Sequence, residues 1–373
     1  MAHTRATRVV AVLLLVGGAF NWTLLTGSIP GMDAASVIMF EHPSYDYQTD
    51  PGDGQLQVML FDARMAALLV MAAGAAALAA PWVRTKGDVG YVVLVSLGGM
   101  LSAGALLTWF GGWSMAAAAV CGGVLVIGTL VVIARSRSRP ASVAVDTAPD
   151  ETAARGVLAT MALLVAAAAP AVGTAGPQPD RWLSELLPEA YRVGVALTEA
   201  LLCLTALSLA GLTLRRPRVA AVIAGALVAG AGGWLVAAPP VPWDRPWLML
   251  LISGAMVGGT AMLVVSGVRN ADGSGPGAWR LFGTLFGAAA GCAALVIPAF
   301  ALGLPLGMIL LSMSGGELGA DGLPILLGAP MAGLAGVASY WLAALASEDR
   351  SLRRMYTERV TSERHTNTSW GPY

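Results

Sequence analysis

Charge is what this sequence has least of. Asp, Glu, Lys and Arg make up 12% of its 373 residues, about half the ~25% of a soluble domain. So few charges cannot cover a water-facing surface over that length. The 22 basic and 22 acidic residues cancel, so the balance points to no nucleic acid and no other highly charged partner. Lysine is nearly missing, with Lys86 alone among arginines. Together with the Ala and Gly load, this hints at a GC-rich bacterial genome.

Cysteine and histidine are sparse too. Cys121, Cys203 and Cys292 each fall inside an apolar run, with no CxxC and no Cys/His cluster. They read as small buried hydrophobes, which argues against a disulfide framework or structural zinc. His3, His42 and His365 are too scattered for a helical metal pair. Gly273-Ser274-Gly275-Pro276-Gly277 follows no strand and precedes no Lys-Ser/Thr pair, so it is a turn and not a phosphate loop. There is no Gly-x-Ser-x-Gly elbow. Asn21-Trp22-Thr23 has the form of a glycosylation sequon but lies within an apolar run. The expectation is therefore no metal, no cofactor and no assignable catalytic group.

What the sequence has is apolar residues, 56% of the total, gathered in long runs. About 20 such residues make a helix of roughly 30 Å, the thickness of the hydrocarbon layer. Inside lipid every backbone N–H and C=O must be paired internally, which leaves helices or barrel strands. The runs lack the strict alternation of barrel strands. The fold class is thus all-α, a polytopic transmembrane helix bundle of about ten spans. They fall near 9–26, 64–83, 90–110, 115–134, 156–175, 192–214, 219–239, 247–268, 281–303 and 323–347.

The basic residues sort onto alternate connections. Of the 22, all but Arg64, Arg181, Arg192 and Arg245 precede the first span, follow an even-numbered span or lie in the tail. Cytoplasmic loops retain Lys and Arg, so both termini are expected in the cytoplasm, which requires an even number of spans. A cleaved signal peptide is the alternative for the first span. However, Gly27 and Ser28 run directly into Ile29 and Pro30 with no small-x-small site, so the span is expected to be kept.

The chain divides into a four-span block at 1–134, a cytoplasmic linker at 135–155, a six-span block at 156–347 and a cytoplasmic tail at 348–373. The outer loop at 27–63 carries Asp33, Glu41, Asp46, Asp50, Asp53 and Asp62 with no Lys or Arg. It is too short for a domain of its own and is expected to cap the bundle. Trp182, Leu183, Leu186 and Leu187 recur opposite Ser184 and Glu185, the pattern of a short helix lying in the interface. The outer turn at 239–247 places Trp243 and Trp247 at the membrane surface.

Three features could carry function. Glu199 lies about two turns inside span six, where an acid costs roughly 2.5–3.5 kcal/mol. It is a candidate proton or substrate site, with Arg192 two turns away on the same face. The region around Pro298, Pro305, Pro324 and Pro330 interrupts an apolar stretch too long for one span, so it is a candidate broken or re-entrant helix. Gly254 and Gly258, and the ridge of Gly283, Gly287 and Gly291, let helices approach closely. These glycines are expected first to pack helices within the chain, and second to join copies or a membrane complex. Bulk at Gly287 is expected to force spans apart.

Three function classes fit. A transporter or permease for a small or amphiphilic solute rests on Glu199 and the broken region. A non-catalytic subunit or scaffold rests on the glycine ridges. A lipid-modifying enzyme would use the outer acids, but these form no compact constellation. Lipids are the expected partners, and the bacterial cytoplasmic membrane is the expected location.

Overall fold

The computed structural model describes residues 2–27, 52–83, 88–97, 99, 151–175, 189–214, 218–237, 246–267, 276–292 and 294. Among these it is almost entirely helical, with eight α-helices. They are α1 (Ala2–Gly27), α2 (Gly52–Ala79), α3 (Asp88–Leu97), α4 (Glu151–Ala175), α5 (Glu189–Thr213), α6 (Val219–Ala237), α7 (Pro246–Ser266) and α8 (278–292). The expected spans four and ten lie outside the described residues, as do the prolines at 298, 305, 324 and 330.

Among the described residues, four stretches are long and apolar enough to cross a membrane: Arg5–Leu25, Ala153–Pro170, Val193–Thr213 and Val219–Ala237. Their outer faces agree with that role. Val9, Val12, Leu13, Val16 and Phe20 form an exposed apolar stripe along α1, while Ala11, Leu14, Trp22 and Leu25 are buried. Such a stripe has no place against water but suits lipid. Trp247 and Trp279 are exposed near the starts of α7 and α8, as expected of interfacial tryptophans.

α2 is longer than its apolar run. It starts at Gly52, so residues 52–63 are helical where the sequence pattern had assigned them to the loop. Beyond Gly52, each added residue gains a hydrogen bond once a turn exists. The far end is set by proline. Pro81 cannot continue an α-helix, so Ala80–Trp82 tightens into a 3₁₀ turn. The backbone then leaves at Val83, whose N–H donates to the Ala80 carbonyl at 3.2 Å.

α2 and α4 occupy the middle of the bundle, with nearly every side chain from Ala66 to Ala80 and from Val157 to Ala169 buried. Alanine dominates both stretches, which lets neighbours approach closely. α1 packs on α2 and α5, α4 on α5 and α7, and α6 on α5 and α7. Close contacts give the directions. A Cβ at Gly18 would meet the Ala67 carbonyl oxygen at 2.9 Å, and one at Gly74 the Ala11 carbonyl oxygen at 2.8 Å, so α1 and α2 run antiparallel. Gly17 faces Leu201 and Gly194 faces Leu25, so α1 and α5 are also antiparallel. Gly156 meets Val89 and Gly267 meets the Thr213 carbonyl, which puts the starts of α3 and α4 together and the ends of α5 and α7 together.

These directions place Arg5, Arg8, Arg155, Arg218 and Arg280 at one end of the bundle, as the charge pattern requires. The glycine ridge does not behave as expected. Gly258 packs against the Leu285 carbonyl oxygen, 2.6 Å from where its Cβ would be, and so joins α7 to α8. Gly283 and Gly287 have nothing within 4 Å of a Cβ position. Their face of α8 turns away from α7, so it does not hold the described helices together.

Candidate functional site

Most buried hydroxyls in this bundle satisfy themselves. Thr160, Thr205, Thr213, Thr260 and Ser266 each donate to a carbonyl three or four residues earlier on their own helix, at 2.6–2.7 Å. A hydroxyl can do this because it is short and sits over the preceding turn. A carboxylate, an amide or a guanidinium cannot dispose of all its polar atoms that way. Three buried side chains of these kinds, Asn21, Arg64 and Glu199, occupy the half of the bundle opposite the basic end.

Asn21 on α1 is fully buried, and its Nδ2 donates to Thr198 Oγ1 on α5 at 2.6 Å. Thr198 uses its own proton on the Gly194 carbonyl at 2.9 Å, so its oxygen is free to accept and the orientation of the Asn21 amide is fixed. This bond joins positions 177 apart in sequence. The Asn21 Oδ1 is buried with no hydrogen-bond partner.

Glu199 is the next residue of α5. It is 2% exposed, and neither carboxylate oxygen has a hydrogen-bond partner. It therefore faces neighbouring helices and neither lipid nor open water. Counting from Val193, the N-terminal end of its apolar span, it lies about 9 Å deep. Cys203, one turn further in, is buried and donates from Sγ to the Val228 carbonyl of α6 at 3.6 Å. The close approach of Cys203 leaves no room for a Cβ at Gly232, so α5 and α6 are pressed together just below the acid. Arg192 lies on the first turn of α5, but its side chain lies outside the described residues.

Arg64 escapes sequence reasoning, which uses it only as one of the few basic residues on the outer side. An arginine near a span end ordinarily stretches its head group to water. This one is 3% exposed. Its Cζ lies 5.7 Å from the ring centroid of Trp22 on α1, a cation–π contact of about 0.5–2 kcal/mol. Its Nε and Nη2 are buried without a hydrogen-bond partner. The only signal in the sequence is the scarcity of basic residues on that side.

α1 therefore touches both of the turns that carry these ionisable residues. Trp22 covers the guanidinium of α2, and the adjacent Asn21 holds the turn of α5 that carries Glu199. No three His, Cys, Asp or Glu side chains converge as a metal site among the described residues. No family model, curated protein or solved structure matches this chain.

Proposed function

We propose that this chain is a multi-pass protein of a bacterial cytoplasmic membrane that moves a small or amphiphilic solute. In this reading it has about ten spans and both termini in the cytoplasm. The observation that carries the reading is Glu199, buried between helices with both carboxylate oxygens unpartnered. A purely structural helix gains nothing from such a group, and it costs several kcal/mol to keep there. A carboxyl that takes up and releases a proton or a solute accounts for that cost. Arg192 and the broken region around Pro298, Pro305, Pro324 and Pro330 belong to the same reading as the neighbouring charge and the moving element.

The test is flux into proteoliposomes of the purified full chain, with a panel of labelled small carboxylates, phosphonates and amines. Protein-dependent movement of at least one class is expected. Flux equal to that of protein-free vesicles for every class, with the protein folded and inserted, overturns the reading. One observation favours a second reading, a non-catalytic subunit of a membrane complex. The open face of α8 carries Gly283 and Gly287 beside the exposed Phe282 and Phe286, a surface suited to a partner helix.

Orientation has its own test. Cysteines introduced at Ser138 and Ser274 are expected to resist a membrane-impermeant maleimide added to intact cells. Cysteines at Ser44 and Ser184 are expected to react. Labelling of the Ser138 variant from outside reverses the proposed topology.

A further inference from the structure

We propose that Arg64 is a binding site for an oxyanion, the carboxylate or phosphate group of a small molecule or lipid, entering the bundle from its outer half. Trp22 lies 5.7 Å from the Arg64 Cζ, measured to its ring centroid. The unpartnered atoms are Nε and Nη2. These two N–H groups project side by side from one edge of the guanidinium. That edge matches the two oxygens of a carboxylate or phosphate bidentately. A guanidinium that is 3% exposed has given up water at those donors, and an anion is the group that restores most of the loss.

The depth also fits. Trp22 lies three residues inside Leu25, the outer end of the α1 apolar span, so the guanidinium is about 5 Å below that edge. An anionic head group can reach it while an attached apolar tail stays in lipid. The neighbouring Asn21 Oδ1, buried and unpartnered, could accept a hydrogen bond from a hydroxyl or ammonium on the same ligand. This deepens the transport reading by naming the solute class, and it is measured by binding, independently of movement.

The experiment uses the full chain in mild uncharged detergent and follows its thermal midpoint at constant ionic strength. The arms are inorganic phosphate, benzoate and phosphatidylglycerol, with chloride and phosphatidylcholine as controls. A ligand that binds only the folded state raises the midpoint with its concentration. The expected result is a rise in at least one oxyanion arm and none in the controls. A response to phosphate or benzoate alone assigns a free solute, and one to phosphatidylglycerol alone assigns a lipid head group. Arg64→Lys keeps the charge and loses the fork, so apparent affinity should fall about tenfold. Arg64→Gln should abolish the response.

No rise in any arm overturns the proposal. That is also the outcome if an acid of the chain's own outer segment occupies Arg64, in which case Arg64→Gln lowers the midpoint without ligand. Equal responses in wild type and both variants overturn it as well. Binding without flux removes the transport reading alone, whereas flux with no Arg64-dependent binding removes this proposal alone.

Discussion

Glu199→Gln is expected to leave folded yield unchanged and to cut solute flux about a hundredfold, the usual scale for losing a proton-transfer group. Gln keeps the shape and can still hydrogen-bond, but it cannot ionise. The matched variant, Glu199→Leu, separates function from structure. The carboxyl is buried with neither oxygen partnered, so the wild-type fold tolerates an unsatisfied group costing about 1–3 kcal/mol. Leucine removes that cost at similar volume and is expected to raise the thermal midpoint while abolishing flux. Together, higher stability and lost activity mark a residue kept for function. Full flux through Glu199→Leu ends the role proposed for this acid. A lower midpoint in Leu shows instead that the carboxyl is satisfied in the membrane and stabilises the fold.

Gly74→Leu should produce the largest loss of stability, about 3 kcal/mol or more. A Cβ there would sit 2.8 Å from the Ala11 carbonyl oxygen and 3.1 Å from Leu15. Backbone on the far side of the contact cannot rotate away, so α1 and α2 must separate. Gly18→Leu repeats the clash from α1, against the Ala67 carbonyl oxygen at 2.9 Å and Met71. Separation also draws Trp22 off Arg64, so any surviving protein should lose the oxyanion response described above. Gly287→Leu is the contrasting case. Nothing lies within 4 Å of its Cβ position, so the midpoint of the monomer should stay within about 0.5 kcal/mol of wild type. Thermal melts in mild detergent, with size-exclusion profiles, read all three. An unchanged midpoint for Gly74→Leu would show that the two helices do not pack this closely.

Much of the architecture was legible from residue types alone. Runs such as Val193–Thr213 and Val219–Ala237 must be helical in lipid, because only a helix pairs all its own backbone groups there. The basic residues declared which helix ends lie together, because charge resists translocation whatever the fold. Glu199 stood out for the same local reason, being an acid in an apolar run. The start of α2 is not legible, because Pro51-Gly52-Asp53-Gly54 reads as a turn, while helix propagation through Gly52 depends on the whole of α2.

The inward face of each helix was not legible. A soluble helix shows its buried face by contrast with a polar one. In a membrane the lipid and the protein interior are similarly apolar, so the contrast fades. Gly74 and Gly287 therefore look alike in sequence, yet one presses on a backbone carbonyl and the other on nothing. Arg64 likewise reads as an ordinary arginine at a span end. Its burial against Trp22, and the Asn21–Thr198 bond between α1 and α5, join residues far apart in the chain. Residue chemistry determined that four of these helices are long and apolar enough to cross a membrane, and which groups would be costly inside one. Close packing among α1, α2 and α5 decided what those groups lie against, because contacts between similarly apolar surfaces are chosen by shape and not by polarity.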